Sequence, residues 1–318
     1  MTRALILDDA PIGYLGDLER RFPAVAFDAI TAYAELPAAL ARHRPEVALV
    51  NKVEKVPFPR AALLGCPTLK WVQAASAGVD HLVPWDTARV QVTNVSGIHG
   101  ELMTQYVLGV IFAHNLRLLQ CQRDMARQHW QHFDGRVAAG RTLAIVGLGR
   151  IGQEIARAAK FFGLRVIGLK TRPEPIPHAD AVWGIERLHE ALRQADYVVI
   201  VVPKTPGTLK LIDARAIAAL KPGAVFINVA RGGVVDEPAL LAALRERRIA
   251  FAAVDVFESE PLPPESPFWR QENMLVTPHS SSDVEGWHGL VAGIFAENLE
   301  NWLAGRPLRN LTDPARGY

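Results

Sequence analysis

Short apolar runs alternate with amphipathic stretches along most of the chain. In the first hundred residues the apolar runs lie at residues 4–7, 47–50 and 69–72, and helical patterns such as residues 36–42 separate them. Strands that alternate with helices in this way predict a parallel sheet.

The same alternation is more regular and more apolar from residue 143 onward. Because strands that are covered on both faces read as continuous apolar runs, these segments predict a second, doubly wound parallel sheet. Its six candidate strands lie at residues 143–146, 165–169, 197–202, 224–229, 251–256 and 274–277. Between them, Asp213 and Asp236 are typical N-caps for helices at residues 214–220 and 238–247.

Two long helical patterns mark the expected domain boundaries. One covers about residues 101–119 and separates the two alternating regions, and the other covers about residues 284–303, after the last strand. At roughly 100 to 200 residues per domain, a chain of 318 residues suggests two domains. We predict an α/β protein with two Rossmann-like, doubly wound domains, in which residues 98–283 are inserted between residues 1–97 and 284–318.

Charge and composition exclude several classes of protein. With 35 Lys and Arg against 33 Asp and Glu, the formal charge of +2 is too balanced for a nucleic-acid binder. The two cysteines, Cys66 and Cys121, lie far apart, so we expect neither a disulfide framework nor a metal site, and the pattern favours a reducing cytoplasm. The apolar stretch at the N-terminus is too short for a signal peptide, and residues 102–113 are too few to cross a membrane.

A glycine-rich turn lies between the first strand of the second region and the helix that follows. It matches G-x-G-x-x-G and reads Gly147, Leu148, Gly149, Arg150, Ile151 and Gly152. Gly147 permits the tight turn, Gly149 lets a pyrophosphate approach the backbone, and Gly152 lets the helix pack closely on the strand. The N–H groups at the helix N-terminus suit an anion. Residues 98–283 are therefore predicted to bind a dinucleotide, with a glycine-rich turn that binds no ligand as the alternative.

The end of the second strand favours NADP(H) over NAD(H). An NAD site usually carries an Asp or Glu about 20 residues after the glycines, to hold the ribose 2′-hydroxyl. Lys170, Thr171 and Arg172 stand in that region instead and offer two charges and a hydroxyl to a 2′-phosphate. In the alternative, Lys170 and Arg172 are solvated loop charges and NAD(H) binds as well or better. The cofactor-binding set also includes Val202, Pro203 and Ala230, which end or follow two other strands.

Three polar segments follow strands of the same predicted sheet. They lie at residues 228–233, 255–262 and 277–280. Because ligands of open α/β sheets bind outside the carboxyl ends of the strands, all three segments and the glycine-rich turn face one crevice. Their side chains are therefore expected to meet one substrate.

These segments resemble those of the D-isomer-specific 2-hydroxyacid dehydrogenases, in particular the NADPH-dependent glyoxylate and hydroxypyruvate reductase branch, over nearly the whole chain. The resemblance is carried by residues 147–152, 228–237, 255–262 and 277–279, and by residues 75–82, which resemble the substrate-carboxylate loop of the family. It implies that Arg231, Glu260 and His279 are catalytic and that Asp255 hydrogen-bonds the nicotinamide carboxamide. It also implies that the backbone N–H groups of Ala77, Gly78 and Val79 hold the substrate carboxylate, and that the hydroxy acid has the D configuration.

The residue types suit this chemistry independently of the resemblance. Reduction of a 2-keto acid needs a hydride at the carbonyl carbon and a proton at its oxygen, and an imidazole exchanges protons near neutral pH. We assign the proton to His279, its charge stabilisation to Glu260, and the orientation of the planar keto acid to the forked guanidinium of Arg231.

Each of these residues also has a purely structural interpretation. His279 suits a capped loop residue, Glu260 suits a solvated acid, and Arg231 suits an ion pair with an acid such as Glu237. His81, which follows an aspartate in the carboxylate loop, is a rival proton donor.

The identity of the substrate is the least constrained prediction. We favour glyoxylate or hydroxypyruvate. Lys52 and Lys55 are either surface lysines or contacts for a second anionic group, and Trp287 either closes the pocket or belongs to the core.

Two alternative functions and an oligomeric state are also compatible with the sequence. A dinucleotide-sensing, corepressor-like interaction protein is the alternative from another class, and a dehydrogenase of formate or phosphite is the alternative enzyme. The resemblance implies a homodimer paired through the nucleotide domain, and residues 102–113 are apolar on most of the helix circumference. The monomeric alternative buries this helix between the domains.

Overall fold

The computed structural model describes residues 1–54 and 56–314 and divides the chain into two compact units. Unit 1 comprises Met1–Ile98 and Val284–Tyr318, and unit 2 comprises His99–Asp283. Unit 2 is thus a continuous segment that interrupts unit 1 along the chain.

Unit 1 is built on a parallel sheet of five strands. The strands are β1 (Thr2–Leu7), β2 (Val25–Ile30), β3 (Val47–Val50), β4 (Trp71–Ala74) and β5 (Gln91–Thr93), and the helices between them are α1 (Ile12–Arg21), α2 (Leu36–His43) and α3 (Arg60–Gly65). The strand order is β2-β1-β3-β4-β5, and all four pairings are parallel. A short 3₁₀ helix, Tyr33–Glu35, precedes α2.

Unit 2 is built on a parallel sheet of seven strands. The strands are β6 (Thr142–Val146), β7 (Arg165–Leu169), β8 (Ala181–Trp183), β9 (Tyr197–Ile200), β10 (Val225–Asn228), β11 (Phe251–Val254) and β12 (Met274–Val276). The helices are α4 (Gly100–Asn115), α5 (Leu118–Ala126), α6 (Arg150–Phe161), α7 (Leu188–Gln194), α8 (Ala214–Ala218) and α9 (Glu237–Arg245), with 3₁₀ helices at Ile185–Arg187 and Pro267–Arg270. The strand order is β12-β11-β10-β9-β6-β7-β8, and every pairing is parallel. The predicted fold class, with two parallel-sheet α/β domains, is confirmed.

The strands that the apolar pattern missed all lie at sheet edges. β2 and β5 are the two edges of the first sheet, and β8 is one edge of the second. An edge strand is covered less completely, so it needs fewer apolar residues, and β2 and β8 are indeed only half-buried along most of their length.

The helix predicted over residues 101–119 is two helices. α4 ends at Asn115 and α5 begins at Leu118, because Arg117 between them has a left-handed backbone with φ of 52°. α4 and α6 pack together on one face of the unit 2 sheet, with Val107, Ile111 and Ile155 in the core there. The apolar circumference of α4 is therefore largely covered within its own unit.

The chain returns to unit 1 with α10 (Trp287–Leu303), which begins three residues later than the predicted start at residue 284. Its apolar side packs on the first sheet, where the ring of Phe295 stacks on that of Trp71 at 5.4 Å. Asn298 is fully buried in the same helix, donates to Gln73 Oε1 at 3.0 Å and accepts from the N–H of Arg309 at 2.8 Å. Throughout residues 1–54 and 56–314, each helix is too short or too polar to span a lipid bilayer.

Candidate active site

The glycine-rich turn joins β6 to α6, as predicted. Gly147 has a φ of +110°, and a Cβ on it would lie 2.5 Å from the carbonyl oxygen of Val201. A Cβ on Gly152 would lie 2.3 Å from the carbonyl oxygen of Gly147. Both positions therefore need glycine for the fold itself. The N–H groups of Gly147 and Leu148 both donate to the carbonyl of Leu169, at 3.0 and 2.9 Å, which ties the turn to β7.

Gly149 differs from the other two glycines. A Cβ on it would meet no protein atom within 4 Å, and its backbone angles suit any residue. The protein's own packing does not require glycine here, whereas a pyrophosphate close to the backbone at the N-terminus of α6 does. The turn therefore fits a dinucleotide better than it fits a turn that binds no ligand.

The remaining turn residues divide between surface and core. Arg150 is exposed and Ile151 is half-buried. Leu148 is fully buried against Gly168, so only its backbone is available to a ligand. Val202 and Pro203 follow β9 and are half-buried, and Ala230 follows β10 and is buried. These residues lie at the carboxyl ends of β6, β9 and β10, which are neighbours in the sheet.

The residues after β7 include a cationic side chain, Lys170, that is already paired with an acid. The N–H of Lys170 donates to the carbonyl of Trp183 at 3.1 Å, and its Nζ donates to Glu174 Oε1 at 2.6 Å. The hydrogen bond and charge of Lys170 lower the pKa of the Glu174 carboxyl. Thr171 and Arg172 are exposed in the same loop. Glu174 was absent from the sequence-based set, although it lies four residues after Lys170.

Arg231 lies at the end of β10, where two loops touch backbone to backbone. A Cβ on Gly232 would lie 1.8 Å from the carbonyl oxygen of Phe257, so only glycine lets the Arg231 turn approach the loop after β11. Arg231 Nη1 donates to the carbonyl of Ala230 at 2.8 Å. Glu237 Oε1 accepts the N–H of Glu258 at 2.6 Å, and an ion pair of Arg231 with Glu237 stays the structural alternative.

His279 and Glu260 form a hydrogen-bonded pair. His279 Nδ1 lies 2.7 Å from Glu260 Oε2, and Glu260 Oε1 accepts the N–H of Phe257 at 2.9 Å. Burial raises the pKa of the Glu260 carboxyl, but its bonds to His279 and Phe257 and the charge of Arg231 outweigh burial and lower the pKa below its ordinary value. Glu260 is therefore a carboxylate at neutral pH. Unit 2 thus pairs the carboxylate with the imidazole at the carboxyl edge of its sheet, where the charge of Arg231 also acts on that carboxylate.

Asp255 holds the turn that presents His279. His279 has a φ of 57°, which is a strained conformation for a residue with a side chain. The Asp255 carboxylate is 1% exposed and accepts the N–H groups of Ser280 and Ser281 at 3.0 and 3.1 Å, and also the Thr277 hydroxyl. The Asp255 carbonyl accepts the His279 N–H at 2.8 Å. A contact of Asp255 with the nicotinamide stays a prediction. The role of Asp255 in holding the His279 turn was not predicted from the sequence.

The carboxylate loop follows β4 in unit 1. The Asn94 amide donates to the carbonyl of Ala77 at 2.7 Å, and the Ser76 hydroxyl donates to that of Gly78 at 2.7 Å, while Val79 is fully buried. These bonds fix the backbone of the loop. The ring of His81 packs edge-on against Phe58 at 5.1 Å.

The three residues considered for substrate contacts lie apart from this loop in sequence. Lys52 is exposed, and Trp287 is partly buried against the unit 1 core. Lys55 lies outside the described residues.

A second polar cluster in unit 1 was not predicted. Asp8, Asp9 and His288 offer carboxylate and ring atoms within 4.8 Å of one another. Asp8 is 1% exposed and accepts from Tyr14 at 2.5 Å and from Asn51 at 3.2 Å, with His288 Nδ1 at 3.3 Å. Those neighbours compensate the buried charge, so the cluster is a satisfied polar network. His288 lies 280 residues after Asp8 in the sequence, which is why pattern reading missed the cluster.

Comparison with known proteins agrees with this geometry. Residues 108–281 match the model for the D-isomer specific 2-hydroxyacid dehydrogenase, NAD binding domain. The chain is 33% identical to the D-3-phosphoglycerate dehydrogenase of Methanocaldococcus jannaschii over 77% of its own length and 48% of that protein. It is also 33% identical to the glyoxylate reductase of Korarchaeum cryptofilum, over 81% of this chain and 80% of that one.

A solved structure is similar over the whole length. The D-isomer specific 2-hydroxyacid dehydrogenase of Xanthobacter autotrophicus Py2, in complex with NADPH and MES, superposes with a TM-score of 0.86 and 33% identity, and the match covers 100% of both chains. The chain therefore belongs to the D-isomer specific 2-hydroxyacid dehydrogenase family, whose members are NAD(P)-dependent oxidoreductases. The resemblance seen in the sequence and the expectation of an enzyme of this class are confirmed.

Proposed function

We propose that the enzyme reduces a small 2-keto acid, such as glyoxylate or hydroxypyruvate, to the D-2-hydroxy acid, with NADPH as the preferred reductant. The observation that carries the proposal is the His279–Glu260 pair at 2.7 Å beside Arg231, at the sheet edge that also carries the glycine-rich turn. A reduced nicotinamide, when bound, supplies the hydride to the carbonyl carbon.

The side chains of unit 2 supply the proton and the charge stabilisation. Because Nδ1 of His279 faces Glu260, Nε2 is the atom that donates a proton to the carbonyl oxygen as the hydride arrives at carbon. Glu260 stabilises the protonated imidazole before this transfer and keeps the ring oriented. Arg231 binds the carbonyl oxygen and the carboxylate of the keto acid through its fork of donors. The imidazole regains its proton from solvent after release of the product.

The two units take different roles in this proposal. Unit 2 binds the dinucleotide through Gly149 and the N-terminus of α6. Unit 1 offers the N–H groups of Ala77, Gly78 and Val79 to the substrate carboxylate, as the resemblance implies. The fixed backbone of that loop supports this role, since a rigid set of donors binds an anion with little loss of entropy.

The preference for NADPH rests on Lys170, Thr171 and Arg172. Their charges and hydroxyl suit a 2′-phosphate, and the structurally similar Xanthobacter enzyme was crystallised with NADPH. NADH remains the alternative reductant, because a ribose hydroxyl can also bind in an exposed loop.

We also propose a homodimer in the cytoplasm. Exposed large apolar side chains support pairing through unit 2, since Trp130 is 97% exposed and Phe161 is 83% exposed, and α5 has no buried residue. Because α4 is largely covered within unit 2, we propose that a second copy covers these exposed side chains rather than α4. Light scattering should give the mass of a dimer, and Trp130→Glu should lower the measured mass to that of a monomer.

The cysteines bear on the proposed compartment. Cys66 and Cys121 are both free thiols, in keeping with a reducing compartment.

Turnover tests the proposed reaction. The oxidation of NADPH and NADH is followed with glyoxylate, hydroxypyruvate and larger 2-keto acids, and in the reverse direction with formate and phosphite. We expect reduction of the small keto acids with a higher kcat/KM for NADPH. Tight dinucleotide binding without turnover of any acid would favour the nucleotide-sensing alternative.

Arg231→Ala provides the matching mutational test. It should lower kcat/KM by at least about 100-fold, the loss seen when one donor to a developing oxyanion is removed. Arg193→Ala, which removes an exposed arginine of α7, should leave kcat/KM unchanged.

A further inference from the structure

We propose that Glu174 shifts the preference between NADPH and NADH. Its carboxylate is paired with the Lys170 ammonium, which would otherwise bind the 2′-phosphate of NADPH. The inference deepens the proposed function and rests on its cofactor site. Glu174 thereby acts as a specificity-determining residue that lowers affinity for NADPH and leaves affinity for NADH unchanged.

The position of Lys170 makes it the anchor of the site. It follows β7 directly, and its N–H donates to the carbonyl of Trp183 in β8, so its backbone is held by the sheet. Its side chain is only 23% exposed, whereas that of Glu174 is 67% exposed. A phosphate that reaches the ammonium must therefore share it with the carboxylate or displace the carboxylate into solvent.

The loop around Glu174 favours the paired state. Glu174 lies between Pro173 and Pro175, and both prolines restrict the backbone of the loop. The carboxylate is thus presented to Lys170 at a smaller entropic cost than a flexible loop would require. Its Oε1 lies 2.6 Å from Lys170 Nζ, the distance of a charge-assisted hydrogen bond.

Electrostatics gives the sign of the effect. The 2′-phosphate of NADPH carries up to two negative charges, so Glu174 both competes for Lys170 and repels the phosphate. The 2′-hydroxyl of NADH carries no charge and experiences neither effect. An exposed ion pair changes an equilibrium constant by up to about fivefold, and the lost repulsion adds to this. We expect Glu174→Gln to tighten NADPH by about three- to tenfold.

Direct binding measurements test the inference without turnover. Dissociation constants for NADPH, NADH, 2′,5′-ADP and 5′-AMP are measured by calorimetry on the full-length protein and on Glu174→Gln. Tighter NADPH and 2′,5′-ADP, with NADH and 5′-AMP unchanged, is the expected result. The difference should shrink in about 0.5 M NaCl, because salt screens exposed charges. Glu272→Gln, which removes an exposed acid near Arg247 with the same change in net charge, should have no effect.

A second variant separates this inference from the proposed cofactor site. Lys170→Met should weaken NADPH, and in its background Glu174→Gln should no longer tighten it. If Lys170→Met weakens NADPH but Glu174→Gln changes nothing, the role of Glu174 is wrong and the cofactor site stands. If Lys170→Met leaves the binding of NADPH and 2′,5′-ADP intact, the cofactor site itself is wrong. Weaker binding of NADH to Glu174→Gln would indicate that the carboxylate binds the ribose hydroxyl, and it would also overturn the inference.

Discussion

Replacement of Glu260 by glutamine should slow the proposed reduction of keto acids. The amide keeps the size of the side chain and a carbonyl oxygen for the Phe257 N–H, but it removes the negative charge that faces His279 at 2.7 Å. That charge stabilises and orients the ring, so its loss should impair proton transfer from His279 to the carbonyl oxygen.

The size of the effect follows from the geometry and the exposure of the pair. Two unit charges about 4 Å apart interact by about 4 kcal/mol at an effective dielectric constant of about 20. The side chains of His279 and Glu260 are 38% and 36% exposed, so solvent screening reduces this to about 1–2 kcal/mol. Because about 1.4 kcal/mol in the barrier corresponds to a tenfold change in rate, kcat/KM should fall by about 5- to 30-fold.

The assay is kcat/KM for glyoxylate and NADPH at pH 7.5. Since the hydrogen bonds and the Arg231 charge lower the pKa of Glu260 below its ordinary value, its carboxylate is charged at this pH. Glu258→Gln, in the same loop but paired with Lys210, is the matched control. An unchanged kcat/KM in Glu260→Gln, or an equal loss in Glu258→Gln, would refute the role of the pair.

Three further predictions concern the scaffold. Gly152→Ala places a Cβ 2.3 Å from the Gly147 carbonyl, so thermal denaturation should show a loss of about 1–3 kcal/mol, while Gly149→Ala should keep the stability and lower dinucleotide affinity. Burial and the charges of two arginines lower the pKa of His114 from 6.5 to about 4. Between these pH values the unfolded chain therefore binds a proton that the folded chain does not bind. As the pH falls from 6.5 to 4, urea unfolding should therefore show a loss that is roughly 2–3 kcal/mol larger in the unmodified protein than in His114→Gln. Asn298→Ala removes a buried amide with three polar partners and should lower the free energy of unfolding by about 1–3 kcal/mol.

Each of these predictions has an outcome that would contradict it. Equal stability losses in the two glycine variants would mean that the packing around Gly149 is closer than the structure shows. An equal loss in the unmodified protein and in His114→Gln would show that His114 does not contribute to the pH dependence. An unchanged urea midpoint in Asn298→Ala would show that α10 does not depend on its buried amide.

The sequence by itself determined the parallel α/β class and the dinucleotide turn. Central strands are covered on both faces, so β6, β9 and β10 are continuous apolar runs that can be read without a structure. Glycines at fixed spacing between a strand and a helix carry a local steric requirement, which is also readable. The pattern placed three polar segments after strands of one sheet, and the resemblance to the family singled out Arg231, Glu260 and His279 within them.

The tertiary structure decided what depends on residues that are distant in sequence or on local backbone conformation. Edge strands such as β2 and β8 are less apolar, so their existence depends on the neighbour with which they pair. The hydrogen bonds from the Asp255 carboxylate to the His279 turn join residues more than twenty positions apart, and only the folded sheet brings these residues together. The left-handed backbone of Arg117, which divides one predicted helix into two, is not indicated by helix propensity, since arginine is a good helix former. The pairing of Lys170 with Glu174 is likewise set by the loop after β7, because i and i+4 side chains meet outside a helix only when the chain folds back.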